Sequence, residues 1–262
     1  MDLSIIIVNY KSAAKLENCL QSLAVSNFGN ITYEIIVVEN ASGDDLRPLV
    51  ARFASVRLVN SAENLGMGGG NNLGIKASRG RFILVANPDL VFSADAIKRM
   101  YEYFQIHPEI GVLGPKLLNP DGSLQYSCAR FPSFFLPVIR RTAVGRYLPS
   151  LIDRYLMRRD GHSDVKAVDW LLGACLLVRK DELFMSGNLF DERFFMYFED
   201  VDLCRRARQL GRQVVYYPEA LVTHDHMRDS ARLPWYQAIL TDKLAKAHLN
   251  SWWKYFKKWG LR

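Results

Sequence analysis

The chain has no long apolar run. A membrane-spanning helix needs about 20 consecutive apolar residues, whereas the N-terminal LSIIIV is only about six long, follows Asp2 and leads into the polar Asn9. A secretory signal needs a longer apolar stretch behind a positive flank, so the compartment expected at this stage is the cytoplasm. Cysteine is also sparse. Cys19, Cys128, Cys175 and Cys204 stand far apart, with no paired short spacing. That argues against a zinc knuckle or a redox pair and leaves reduced, partly buried thiols. There is no internal repeat and no low-complexity tract.

Acid is missing from the end of the chain. Residues 243–262 carry five Lys and one Arg with no Asp or Glu, for a local charge of +6. Residues 131–160 carry six Arg against Asp153 and Asp160, for +4, so the overall +7 leaves −3 for everything else. Basicity therefore belongs to two segments and not to the body of the protein. With 262 residues and 49% hydrophobic side chains, the chain has material for one large packed domain, with or without an appendage.

The apolar pattern alternates between two periods. LSIIIVNY, YEIIVVENAS, VRLVN and RFILVANPD read as strands, while KLENCLQSL and the residues around Asn71 to Ala77 read as helices. Strands alternating with helices predict an α/β fold with a mostly parallel sheet covered on both faces. Such sheets bind ligands at the carboxyl ends of their strands, which here carry Asn9, Glu39, Asn40, Asn87 and Asp89.

Several stretches carry candidate chemistry, each beside an ordinary structural alternative. ENLGMGGGNN, residues 63–72, can be a phosphate-cradling loop at a helix N-terminus or simply a tight connection. Its glycines follow the third strand; a dinucleotide fold wants them after the first, which argues against a nucleotide-binding oxidoreductase. In LVANPDLVF, Asn87 and Asp89 lie on one side of an extended chain, suited to a magnesium or manganese ion that also takes phosphate oxygens; the alternative is an Asn-Pro-Asp turn. In FFMYFEDVDLCRR, five apolar or aromatic residues run into Glu199 and Asp200. Asp200 can be a helix N-cap, and either carboxylate can be a general base. His224 in LVTHDH is either structural or a ligand to metal or phosphate, and Trp170 is either core or a ring presented to sugar or lipid. Gly173 would permit the close approach of a ligand.

Taken together and in order, SIIIVNY, VVENAS, ENLGMGGGNN, NPD, and the run from VDWLLGACLLVRK to FDERFFMYFEDVDLCRR followed by PEALVTH resemble the family 2 inverting glycosyltransferases of the GT-A fold, particularly the bacterial rhamnosyltransferase-like branch. The resemblance covers about residues 3–230. It implies that Asp89 is the main protein ligand of a Mg2+ or Mn2+ ion bridging the donor diphosphate. Asn87 faces ribose or phosphates in the place of the first Asp of the family's DxD motif. It further implies donor contacts from Asn9, Glu39, Asn64, Gly69 and Asn71, with Glu39 standing where relatives have Asp. Asp200 becomes the acceptor base with Glu199 as runner-up, Trp170, Gly173 and Glu199 become acceptor contacts, and His224, in preference to His226, approaches the metal. Arg228, Ser230 and Arg232 fall in a segment that could cover the donor.

The implied donor is a nucleoside diphosphate sugar, with dTDP-L-rhamnose first and a UDP-hexose as the alternative. The implied acceptor is a polyprenyl-diphosphate-linked saccharide in O-antigen-type polysaccharide synthesis. A noncatalytic carbohydrate- or membrane-binding module is the remaining competitor. Aromatics interleaved with basic residues in 131–160 and in KLAKAHLNSWWKYFKKWGLR suit an anionic bilayer surface, an ordinary packing helix or a nucleic-acid patch. A lipid-linked acceptor favours the bilayer over nucleic acid. The expected organisation is a GT-A domain at 1–230, with a donor half to about 120 and an acceptor half from about 121, followed by a membrane-associating segment at 231–262 on the inner face of the cell membrane.

Overall fold

The computed structural model describes residues 1–136, 139, 144–180, 183, 187–225 and 242–260. Its elements in chain order are β1 (Leu3–Asn9), α1 (Ala13–Ala24), β2 (Tyr33–Glu39), α2 (Arg47–Val50), β3 (Val56–Asn60), α3 (Gly66–Ala77), β4 (Phe82–Ala86), β5 (Leu90–Phe92), α4 (Ala96–Ile106), β6 (Ile110–Leu118), β7 (Leu124–Gln125) and β8 (Cys128–Ala129). There follow α5 (Val144–Tyr147), α6 (Pro149–Tyr155), β9 (Lys166–Ala167), β10 (Trp170–Leu171), β11 (Cys175–Arg179), α7 (Glu199–Gln209), β12 (Gln213–His224) and α8 (Lys243–Trp259).

The main sheet runs β3-β2-β1-β4-β11-β6-β12-β5. Strands β3, β2, β1, β4, β6 and β12 share one direction, while β11 is inserted antiparallel between β4 and β6. The sheet is thus mixed, and the reversed strand matters: it brings the amino end of β11 to the edge where β4 ends. Successive residues of β1 supply opposite faces. Leu3, Ile5 and Ile7 pack with Leu16 of α1 and Met100 of α4, whereas Ile6 and Val8 pack with Ile75 of α3 and Leu203 of α7. Burial on both faces explains why these strands read as continuous apolar runs.

The glycine-rich stretch is helical from Gly66, so Gly66, Gly68, Gly69 and Gly70 lie inside α3 and not in a loop before it. Glycine in a helix costs about 1 kcal/mol relative to alanine, and packing supplies the reason for it here. A Cβ on Gly74 would lie 2.5 Å from Ile6, and one on Gly70 would lie 2.9 Å from Val8. The helix sits directly on β1 through these two positions, one turn apart.

The C-terminal helix α8 is capped by Asp242, whose side chain accepts from the Leu244 N–H at 2.8 Å, and ends at Gly260. Of the aromatics expected at a bilayer, Tyr255 and Phe256 are buried against Phe194, Phe198 and Val201, and Trp252 and Trp259 are partly buried in the same cluster. Trp253 is 58% exposed. The helix is therefore in large part packed on the FFMYFED segment, because its 3.6-residue period aligns most of its rings on one face.

Candidate active site

Polar side chains gather along the carboxyl edge of the sheet, as the strand endings implied. Asn9, at the end of β1, donates to an Asp44 carboxylate oxygen at 2.9 Å and to Ser42 at 3.4 Å. Glu39, at the end of β2, accepts from the N–H groups of Ala41 and Ser42 and from the Ser42 hydroxyl, which closes the following turn. A cleft of about 350 Å³ lies beside this turn, lined by Gly43, Asp44, Asp45, Leu46, Arg47, Leu58 and Asn60. Asn64 accepts from Asn40 and from the Gly66 N–H, fixing the entry to α3. Asn71 donates back to the Met67 carbonyl. A Cβ on Gly69 would meet only its own loop, at Leu65.

Buried side-chain oxygens on this edge that take no hydrogen bond from the described residues include Asn9 Oδ1, Asn71 Oδ1, Asn87 Oδ1, Asp89 Oδ1 and Glu199 Oε2. Buried polar atoms are ordinarily satisfied, so a cluster of orphans on one edge points to a ligand.

Asp89 and His224 meet through strand register. β5 runs antiparallel to β12 and pairs Leu90 with His224, while the Asp225 N–H donates to the Asp89 carbonyl at 2.9 Å. The Asp89 carboxylate then lies 3.2 Å from His224 Nε2, and His224 Nδ1 lies 2.6 Å from Gln125 Oε1. Burial works to raise the Asp89 pKa, but the His224 contact and the Lys15 charge outweigh it and hold the carboxyl below its ordinary value. Lys15 is held nearby by the Asp225 carbonyl and carboxylate.

The Asp89 carboxylate and the His224 imidazole, 3.2 Å apart, are donors of the kind that would hold a divalent ion such as Mn2+ when a diphosphate completes the coordination. Among the described residues no group of three or more His, Cys, Asp or Glu side chains is placed to hold a metal unaided. His226, Arg228, Ser230 and Arg232 lie outside the described residues.

Asp200 sits next to this edge because of the reversed strand. The Asn87 N–H donates to the Ala174 carbonyl at 2.8 Å, and the neighbouring Gly173 N–H donates to Asp200 Oδ2 at 2.8 Å. A Cβ on Gly173 would lie 3.0 Å from that of Asp200, so what the glycine admits is the carboxylate itself. Asp200 Oδ1 accepts from the Val201 N–H at 2.8 Å.

Asp200 is not the N-cap. α7 begins at Glu199, its cap position is Phe198, and Phe198 contributes no side-chain cap. Tyr197 and Phe198 both have φ near +67°, the left-handed region that bulky residues avoid. Each such residue costs about 1–2 kcal/mol, and strain of that kind concentrates at functional sites. The glycine stretch explains how the conformation is held. Gly66, itself at φ +72, lets the Phe195 carbonyl come so close that a Cβ would sit 2.0 Å from its oxygen, and the Met67 N–H donates to that carbonyl at 2.9 Å. The close approach at these glycines is therefore made by the protein itself, by Phe195 at Gly66 and by Phe190 and Phe194 at Gly68, where both lie within 3.4 Å of a built Cβ.

The acidic pair is electrostatically divided. Burial, followed by the Asp200 charge, pushes Glu199 up to about 8. Burial also raises Asp200, but N–H groups of Gly173 and Val201 oppose it by stabilising the anion. Burial and the neighbouring charge thus favour the protonated form of Glu199, while the two N–H groups at Asp200 favour the anion there. Trp170 is half-buried, donates its indole N–H to the Arg130 carbonyl at 2.8 Å and packs at the junction of three apolar clusters.

Sequence reasoning passed over Lys15, Asp44 and Gln125. Chain crossings bring Lys15 and Gln125 to the site, while Asp44 lies in the turn just after VVENAS and meets Asn9 across the neighbouring strand.

A mixed sheet flanked by helices, with this polar carboxyl edge and a buried acidic pair, defines a GT-A glycosyltransferase fold. The crystal structure of GalNAc-T7 with UDP, GalNAc and Mn2+ superposes with a TM-score of 0.67 at 14% identity, covering 87% of this chain and 44% of that one. The glycosyl transferase family 2 model matches residues 4–160, and the chain belongs to that family. It is similar to the N-acetylglucosaminyl-diphospho-decaprenol L-rhamnosyltransferase of Mycobacterium tuberculosis, at 32% identity over 99% of this chain and 89% of the relative. The rhamnosyltransferase WbbL of Escherichia coli K12 is 24% identical over 97% and 92% of the two chains. The protein is a glycosyltransferase.

Proposed function

We propose that this glycosyltransferase moves L-rhamnose, with inversion, from dTDP-L-rhamnose to a polyprenyl-diphosphate-linked saccharide during synthesis of an O-antigen-type surface polysaccharide. The observation that carries the chemistry is the placement of Asp200, whose two carboxylate oxygens each accept a backbone N–H and which is joined through Gly173 and Ala174 to Asn87 at the donor edge. In this reading Asp200 takes the proton of the acceptor hydroxyl as that oxygen bonds to the anomeric carbon and the sugar–diphosphate bond breaks. Protonated Glu199 adds no second negative charge beside it. A single base suffices for inversion.

Asn9, Glu39, Asn64, Gly69, Asn71 and Asn87 line or shape the donor side, and Trp170, Gly173 and Glu199 the acceptor side. Asp89 and His224 would hold a divalent ion, which supplies charge stabilisation to the departing diphosphate. Both relatives support the sugar, and the name of the Mycobacterium tuberculosis one supports the lipid-linked acceptor.

The membrane reading draws on a surface shared by the two basic segments. Trp252 donates its indole N–H to the Phe134 carbonyl at 3.1 Å, next to exposed Phe135 and Trp253. Among the described residues no helix is long and apolar enough to cross a membrane. The attachment we propose is peripheral, on the cytoplasmic face.

Thermal shift against a panel of nucleotide sugars with Mn2+ present tests the donor, because a ligand of the folded state raises its apparent stability. The expected result is a shift with dTDP-L-rhamnose larger than with any UDP-hexose. A larger shift with a UDP-hexose would replace rhamnose, and no shift with any nucleotide sugar would overturn the donor reading.

A further inference from the structure

The strained residues before the acidic pair are gripped from two sides. On one side the Met67 N–H and the cavity at Gly66 hold the Phe195 carbonyl. On the other lies α8. Ser251 in that helix is 2% exposed, and its hydroxyl donates at 2.7 Å to the Met196 carbonyl. A serine inside a helix commonly bonds back to a carbonyl of its own preceding turn; this one reaches across 55 residues of sequence to the residue just ahead of Tyr197 and Phe198.

Neighbouring contacts act on the same segment. Lys254 Nζ donates to the Arg193 carbonyl at 2.8 Å, His248 lies 4.9 Å from the Tyr197 ring, and Tyr255 lies 5.2 Å from the Phe198 ring. Farther along the helix, Lys258 pairs with Asp191 at 2.8 Å and with buried Asp202 at 2.6 Å, and Trp259 donates to Asp202 at 2.8 Å.

We infer that Ser251 is a positioning residue for the transfer reaction, holding the Met196 carbonyl so that two consecutive left-handed residues aim Glu199 and Asp200 at the acceptor. This rests on the proposed role of Asp200 as the base. The helix as a whole then serves as a brace for the catalytic corner. Its aromatic rings are explained by that packing, while Trp253 and the outward lysines remain free for a surface contact.

The test measures transfer from the donor to a short water-soluble acceptor, so that membrane attachment does not enter, for Ser251→Ala and Ser251→Thr in the full chain. With Ser251→Ala, kcat should fall at least about tenfold, since small misplacements of reacting groups have effects of that order, while donor Kd changes less than about twofold. Ser251→Thr, which keeps the hydroxyl, should recover most of the loss. Wild-type kcat in Ser251→Ala, or equal impairment of both variants, would overturn the inference. If Ser251→Ala does not fold, Lys254→Met decides: lowered kcat at unchanged Tm and donor Kd supports the brace, and unchanged kcat refutes it. Asp200→Asn in the same assay separates the two levels. An active Asp200→Asn defeats the base assignment beneath; an inactive one beside a fully active Ser251→Ala defeats only the brace.

Discussion

Replacing Asp200 by Asn and, separately, Glu199 by Gln should split the acidic pair into unequal halves. Each Asp200 oxygen accepts a backbone N–H, from Val201 and from Gly173, both at 2.8 Å. An asparagine can offer an oxygen to only one of them and must turn its NH2 toward the other, leaving a buried donor unpaired at about 1–3 kcal/mol. Removing a buried charge works in the opposite direction, so the net change in Tm should be only a few degrees. Transfer should nevertheless fall by about 10²–10⁴-fold, the usual value of a general base, while donor affinity survives.

Glu199→Gln exchanges a carboxylic acid that is already neutral for a neutral amide, and its kcat near pH 7 should stay within about tenfold of wild type. Stability supplies a second readout. A carboxyl raised from 4.5 to about 8 on folding loses stability as pH climbs between those values, so wild type should weaken relative to Glu199→Gln across that interval and differ no further above it. Chemical denaturation at pH 5, 7 and 9, beside kcat for both variants, checks this. Asp200→Asn within tenfold of wild type, or Glu199→Gln as the dead enzyme, would refute the division of roles.

Asp89→Ala should abolish Mn2+-dependent transfer and the Mn2+-dependent part of donor binding in calorimetry; retained metal dependence would remove Asp89 as a ligand. Gly66→Ala introduces a Cβ 2.0 Å from the Phe195 oxygen at a positive φ, so urea denaturation should show a loss of more than about 2 kcal/mol, with turnover falling as the aromatic segment shifts. Tyr255→Ala removes a fully buried ring from the α8 contact and should cost about 3–5 kcal/mol by the same measurement. Phe135→Ser with Trp253→Ser, both at exposed positions, should weaken binding to anionic vesicles without lowering Tm; unchanged vesicle binding would count against the membrane surface.

The alternation of strands and helices was legible in the chain because local periodicity reports which faces are buried. Ile5 and Ile6 face opposite layers just as a two-residue repeat requires. The polar residues at strand ends marked the ligand edge for the same local reason. Motif order further identified a family whose fold and reaction class the comparisons bear out.

Other features depended on pairings between distant segments. β11 runs against its neighbours, and that reversal alone sets Gly173 beside Asn87 and so draws Asp200 to the donor edge. Asp89 reaches His224 only through the β5–β12 register. The glycines of residues 66–70 left a phosphate loop and a tight connection both open, because no local signal discloses that Phe195 would press against Gly66, Phe190 and Phe194 against Gly68, and Val8 against Gly70. The basic aromatic tail likewise left a bilayer surface and a packing helix both open, since amphipathic period alone does not name the surface that an apolar face will meet. Local sequence sets which side chains share a face. Long-range register and the close approach of backbones set which faces meet, and here that second layer of contacts assembles the acidic pair, its strained support and the helix that braces it.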